Sequence, residues 1–485
     1  MDERAKIPVS LPLDSPTQSY WQDPPDAIAD LRTTEKLPDA ADIVIIGSGI
    51  SGGATAWHLL QDQPPKARSI VMLEARQACS GATGRNGGHT KAASYRSFLD
   101  HAAELGTPAA VQIAQLELAN IRAMQDLAHA HPDFHCDAQA CDTIDIIYDA
   151  AQWAKAHEAV AAMRAAMPPD DPAAQYSFFS RDEVQKQFHC HDSIVDGKEE
   201  RLCGGVVYPA GSLSAYKFGI GLLKLSLAQG LNLQTNTPVV APLLKNADGT
   251  WTAQTPRGSI IAKKVVVATN GYTAHILPRF QGVIVPLRGQ ITAHRPGQAM
   301  PLAGCLPTTY SFIYEKGYEY MVPRPAGSRF AGDIVIGGGL VRAPDDGLLE
   351  YGTTDDTAVN QTISEYLRET TARYFGPDWG EDDPAGRVRK EWTGIMGFSP
   401  DGFPFVGEMP GEKGLWVSSS FQGHGMVLCW MSAKALAEMM EGRDGERLEA
   451  WFPGAFRISE ERLAKRFEGR LHTTAAVADA VEASS

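Results

Sequence analysis

Positive charge, cysteine and long apolar runs are all scarce in this sequence, and each shortage excludes something. Lys and Arg number 44 against 58 Asp and Glu, a formal net charge of -14. That balance argues against nucleic acid or an anionic membrane as main partner. Any anionic group on a ligand must then be met by particular arginines and backbone amides. The seven cysteines are odd in number and contain no CxxC pair, which fits reduced thiols in the cytoplasm better than a disulfide framework. No apolar run approaches the ~20 residues that span a bilayer. The first residues lack the basic, apolar, small-residue order of a signal peptide, and Glu482-Ala483-Ser484-Ser485 is no peroxisomal address. A cytoplasmic globular protein is the expectation. Its 485 residues, 44% of them apolar, suit two or three domains.

Residues 1–40 are rich in proline and polar residues and carry one aromatic pair, Tyr20-Trp21. They read as an arm lying over the body of the protein. Order begins near Asp42. Ile43-Val44-Ile45-Ile46 reads as a buried parallel strand, Gly52 to Gln61 as a helix, and Ser69 to Leu73 as a second buried strand. The stretch 101–190 is alanine-rich and helical around one strand, Thr143 to Tyr148. An amphipathic helix, Ser214 to Gln229, precedes strands at Leu231–Val240, Thr250–Thr255 and Lys264–Thr269. Residues 283–342 alternate apolar runs with glycine and proline, as an antiparallel sheet does. From Trp451-Phe452-Pro453 the chain fades into an alanine-rich tail, expected to be disordered at its end.

The strongest motif is Gly47-Ser48-Gly49-Ile50-Ser51-Gly52, a GxGxxG between a buried strand and a helix. Gly47 permits the tight turn, Gly49 lets backbone approach a pyrophosphate, and Gly52 lets helix and strand pack. The helix N-terminus presents amides and partial positive charge to phosphates. Glu74 closes the second strand, twenty-two residues after Gly52, where its carboxylate suits a ribose diol and disfavours a 2′-phosphate. This spacing alone leaves NAD and FAD open. Val265 to Gly271, with Thr269 and Asn270 at its turn, is a late buried strand of the kind that returns beside the nucleotide.

Ser80-Gly81-Ala82-Thr83-Gly84-Arg85-Asn86-Gly87-Gly88-His89 resembles the second flavin-contacting segment of the D-amino-acid oxidase superfamily. That group includes glycine oxidase, sarcosine oxidase and gamma-glutamylputrescine oxidase, and the Gly84-to-Gly88 form is most like the last. Pro286 to Gln290, Tyr320 to Pro325, Trp392-Thr393-Gly394 running into Pro400 to Pro404, and Phe421-Gln422-Gly423-His424-Gly425-Met426 agree, over roughly 40–445. The resemblance implies an α/β fold: a Rossmann-like FAD-binding domain with an interposed α+β substrate domain built on an antiparallel sheet. It places the FAD domain at 41–100, 205–285 and 390–450, the substrate domain at 101–204 and 286–389, and a tail at 451–485. Ala75, Arg76 and Val239 join the motifs above as cofactor-binding candidates. The glycines at 81, 84, 87 and 88 are expected to free backbone amides toward a flavin ring. The helix after Gly425 is expected to face the reduced flavin with its positive end.

The activity implied is oxidation of a primary or secondary amine, or an amino acid, by hydride transfer to FAD, with oxygen as acceptor. Such chemistry needs orientation more than an acid–base dyad, and the sequence shows none. His89 and Lys91 are the candidates at the flavin edge, and Tyr320 and Arg324 on the roof of the substrate cavity. Arg324 or Arg288 is expected to hold a substrate carboxylate with its planar fork. Gly394 stands where some relatives attach flavin through cysteine, so that linkage is not expected, while a histidyl link stays open. His189-Cys190-His191-Asp192 mimics a metal cluster, but adjacent residues point in different directions, and no metal is expected. The competing readings are a flavin enzyme tailoring a larger natural product and a non-catalytic flavin-binding homologue.

Overall fold

In a computed structural model, residues 1–61, 68–195, 197–301 and 306–470 are described; the alanine-rich end of the expected tail lies outside them. Two sheets organise the chain. The first is built around the strand Ala40–Ile46, whose Val44 and Ile45 are fully buried. It pairs in parallel with Ile70–Leu73 on one side and Gly258–Val267 on the other. Asn232–Gln234 and Leu415–Ser419 extend this parallel core outward. Strands buried on both faces read as unbroken apolar runs, which is why Ile43 to Ile46 announces its position so clearly. The helix Ile50–Gln61 crosses between the first two strands, beginning two residues earlier than expected.

The second sheet is mostly antiparallel. Val388–Phe398 pairs along its whole length with Val285–His294, followed by Ile334–Gly337, Gly317–Pro323 and Thr309–Tyr314. One parallel step joins Thr309–Tyr314 to Gln139–Ile147, and Gly204–Ser212 and His89–Thr90 complete the edge. This is the α/β fold with an interposed antiparallel sheet that the motifs imply.

Three expected boundaries need correction. His89–Thr90, Gly204–Ser212 and Val388–Phe398 were assigned wholly or mostly to the nucleotide segments, yet all hydrogen-bond within the second sheet. The chain therefore passes between the two sheets near 88, 213 and 399. The expected strand Leu231–Val240 stops at Gln234. Asn236 takes a left-handed conformation and Pro238 cannot donate to a ladder, so the remainder is a loop. The helix Ala215–Ala228 buries nine of its fourteen residues, where an amphipathic face was expected, because Phe134 and the fingerprint helix pack on opposite sides.

The arm and the beginning of the tail are packed. Ser19, Tyr20 and Trp21 are buried, as are Phe452, Phe456 and Phe467. Arg462 forms a bidentate pair with buried Asp401 at 2.8 and 2.9 Å. Among the described residues no helix is long and apolar enough to cross a membrane, and the six described cysteines are free thiols.

Candidate active site

A cavity of about 540 Å³ runs from the end of the first sheet to the face of the second. At its first end the fingerprint glycines are fixed by close approach. Gly47 has φ +106°, and a Cβ there would sit 2.5 Å from the Ala268 carbonyl oxygen; at Gly52 it would sit 2.0 Å from the Gly47 oxygen. Gly49 faces the cavity, with Ser48, Ile50 and Ser51 beside it. Gly52 lies behind the wall as a packing residue. Glu74 accepts from the Ser48 amide at 3.0 Å, the Ser48 hydroxyl at 2.6 Å and the Arg76 amide at 2.9 Å. A carboxylate offers about four acceptor sites, so Glu74 is oriented with capacity left for a ribose hydroxyl. Ala75, Arg76, Val239 and Thr269 continue this wall, and Thr237, Ser10, Leu11 and Pro12 join it without having been expected. Glu74→Ala is expected to weaken FAD binding by about 1–3 kcal/mol, measured by titrating the apoprotein with FAD.

The loop Ser80–His89 crosses the middle of the cavity, and the amides of Gly84, Gly87 and Gly88 are not free as expected. Gly84 donates to the Gly81 carbonyl, Arg85 and Asn86 to that of Ala82, Gly87 to the Tyr320 hydroxyl at 3.1 Å, and Gly88 to the Asn86 side chain at 2.7 Å. The glycines serve packing instead. A Cβ at Gly87 would lie 2.2 Å from the Tyr320 ring, one at Gly88 2.3 Å from the Leu213 carbonyl oxygen, and one at Gly84 2.3 Å from that of Cys79. Only Gly81 has open space. Ser80, Thr83, Arg85, Asn86 and Gly87 still line the cavity, while Gly84 and Gly88 do not.

Opposite this loop, Gly423, His424, Gly425 and Met426 line the wall at the start of the helix Gly425–Met440. Asn270, itself left-handed, accepts from the amides of Ser420 and Phe421 at 3.0 and 3.2 Å and so sets the approach to that helix. Gly394 lines the cavity against the Arg85 stem.

At the far end His89 Nε2 shares a hydrogen bond with Thr309 Oγ1 at 2.7 Å. Burial holds this imidazole well below its ordinary pKa, so it is neutral and does not donate protons as an acid at neutral pH. Lys91 Nζ bonds Asp145 and, at 2.5 Å, the Ser311 hydroxyl. Asp145 accepts from Tyr95 and Tyr208 at 2.8 and 3.0 Å. Burial lowers Lys91 to about 8 despite the opposing pull of Asp145. Tyr320 lines the cavity and Tyr318 shares its face, as alternation along Gly317–Pro323 requires.

Neither expected carboxylate-binding arginine is available. Arg324 lies outside the cavity lining, bonded to Asp137 at 2.6 Å with its guanidinium 4.8 Å over Trp21. Arg288 reaches the lining, but its fork is spent on Glu350 at 2.6 and 3.2 Å and on the Asp355 carbonyl. Arg96, missed in the sequence, lines the same end. Its guanidinium rests 4.9 Å from the Tyr318 ring centre and has no hydrogen bond or ion pair among the described residues. Enclosure depresses His424, and the nearby cations Arg470, Arg96 and Lys91 add to the effect. The histidines of the His189-Cys190-His191-Asp192 run turn to Asp378, at 2.9 Å from His191 and 3.5 Å from His189, while Asp192 pairs with Arg181.

A parallel sheet with this fingerprint, joined through one cavity to an antiparallel sheet, is the architecture of a dinucleotide-dependent oxidoreductase. The sequence model of the FAD dependent oxidoreductase family (DAO) matches residues 42–439, and the chain belongs to that family, with FAD as its cofactor. Glycine oxidase of Pseudomonas aeruginosa is 28% identical over 46% of this chain, a match spanning about half, 54%, of that relative. Probable oxidoreductase OrdL of Rhizobium meliloti is 24% identical over 84% of each chain. Among solved structures, glycine oxidase from Geobacillus kaustophilus superposes with a TM-score of 0.67 at 18% identity, covering 87% of this chain and 99% of its own. NikD, an unusual amino acid oxidase essential for nikkomycin biosynthesis, gives 0.61 at 16%, covering 88% and 98%.

Proposed function

We propose that the protein oxidises a primary or secondary amine bearing a carboxylate to the corresponding imine, with oxygen as acceptor. The observation that carries this reading is the uncommitted Arg96 guanidinium in a cavity that also contains the Gly49 and Glu74 nucleotide cradle. FAD, when bound, supplies the acceptor for the hydride leaving the carbon next to nitrogen. The chain's own residues do the rest. Arg96 anchors the carboxylate, Tyr320 and Tyr318 wall the cavity, and neutral His89 holds its bond to Thr309. Lys91 carries positive charge into the site, where negative charge develops on reduction. The family membership and the amino-acid oxidases among the relatives support this reading. The finer likeness to gamma-glutamylputrescine oxidase rests on Gly84 to Gly88 alone.

A panel of amines and amino acids, read by hydrogen peroxide release and flavin bleaching, tests the proposal. Turnover of carboxylated amines is the expected result. Turnover restricted to alcohols or aldehydes would replace it with the tailoring-enzyme reading.

The reaction should also depend on pH in a defined way. A protonated amine cannot release hydride, so anaerobic flavin reduction rises with pH as the substrate loses its proton. Lys91 is charged below about 8 and neutral above it, so the rate falls again past that point. Lys91→Met is expected to abolish the falling limb and keep the rising one, whose midpoint moves with the substrate.

A further inference from the structure

The arm, residues 1–39, precedes the stretch matched to the family, yet it reaches the loop that crosses the cavity. Three consecutive carbonyls of that loop each receive a side-chain hydrogen bond from behind. Ser19 Oγ donates to the Gly84 oxygen at 2.6 Å, Trp392 Nε1 to that of Arg85 at 2.6 Å, and Trp21 Nε1 to that of Asn86 at 2.5 Å. Two of the three donors belong to the arm. Tyr20 stacks on Trp392 with ring centres 6.0 Å apart and planes 13° apart, so the donors form one packed unit. Arg324 covers the outer face of Trp21.

We propose that Ser19 and Trp21 are positioning residues for the flavin, and that docking of the arm and binding of FAD are thermodynamically coupled. The proposal rests on the FAD assignment and goes beyond it. The amides of Gly84 to Gly88 already have partners, and the arm supplies donors for the carbonyls of Gly84 and Asn86. Without the arm, the Gly84 and Asn86 carbonyls lose these partners and the loop can relax out of the geometry that walls the cavity. Coupling between two binding events is reciprocal, so whatever the docked arm adds to FAD affinity, FAD returns to the docked arm.

The test uses the full chain. Trp21→Phe keeps an aromatic ring but loses the indole N–H, and Ser19→Ala loses the hydroxyl. Each is expected to weaken FAD binding about tenfold in titrations of apoprotein, the effect of about one hydrogen bond. Apoprotein melting should fall only by the equivalent of about one hydrogen bond, while the bound flavin's visible bands should shift in Trp21→Phe, which a purely structural role would not produce. In the wild-type chain, hydrogen exchange over residues 10–24 is expected to slow about tenfold or more on adding FAD. Wild-type FAD affinity in both variants overturns the proposal, as does equal exchange of the arm with and without FAD. If Trp21→Phe does not fold, the exchange comparison on the wild-type chain decides alone. Failure of the wild-type apoprotein to take up FAD would overturn the cofactor assignment itself, a separate result.

Discussion

Arg96→Leu is expected to raise KM for carboxylated amines by roughly 10- to 150-fold, the equivalent of about 1.5–3 kcal/mol for a hydrogen-bonded charge pair. Uncharged amines should be nearly unaffected. The guanidinium stacks on Tyr318 and has no protein anion to release among the described residues, so its loss leaves no buried charge behind. The change therefore falls on substrate binding and not on the fold. Arg324→Ala is the matched control. It leaves Asp137 with only Lys217, 3.9 Å away, and uncovers Trp21, so it should lower the unfolding midpoint while leaving the ratio of KM values for charged and uncharged amines unchanged. Steady-state kinetics with one carboxylated and one uncharged substrate separates the two arginines. Equal loss for both substrates in Arg96→Leu would mean a structural role.

Asp145→Ala is expected to destabilise the protein by about 3–5 kcal/mol, the range for removing one partner of a buried ion pair. Asp145 is fully buried and the Lys91 side chain is 8% exposed. The carboxylate also accepts from Tyr95 and Tyr208, so its loss strands an ammonium and two hydroxyls together. The sign of the pH dependence follows from Lys91. Its folded pKa, already lowered to about 8, falls further in the variant. The deficit is full where Lys91 is charged in both folded proteins, shrinks as pH rises from the variant's lower pKa toward about 8, and levels off above that, where both folded forms are neutral. Urea unfolding at several pH values measures this. A deficit independent of pH would show that the tyrosine hydroxyls, and not the lysine charge, depend on Asp145.

The nucleotide half of the fold was legible because single-residue chemistry dictates it. Gly47 and Gly52 are forced by carbonyl oxygens that no Cβ could share space with, and an apolar run such as Ile43 to Ile46 has one common home. The substrate end was legible only in outline. Tyr320 and Lys91 reach the cavity, but choosing among arginines required knowing which acids lie nearby. Asp137 is 187 residues from Arg324, and Glu350 is 62 from Arg288. No local pattern announces those pairings. Arg96 carried a faint signal, seven residues beyond His89 at the start of a helix leaving the cavity. The glycines at 87 and 88 serve packing, which the sequence could not announce, because their neighbours Tyr320 and Leu213 arrive from distant parts of the chain.

The most direct test is anaerobic mixing of the purified holoprotein with a carboxylated secondary amine while the flavin absorbance is followed. The expected result is full bleaching in a single turnover, a carbonyl product after imine hydrolysis, and a much weaker response in Arg96→Leu. A flavin that stays oxidised with every amine and amino acid, yet bleaches with an alcohol or aldehyde, would contradict the account.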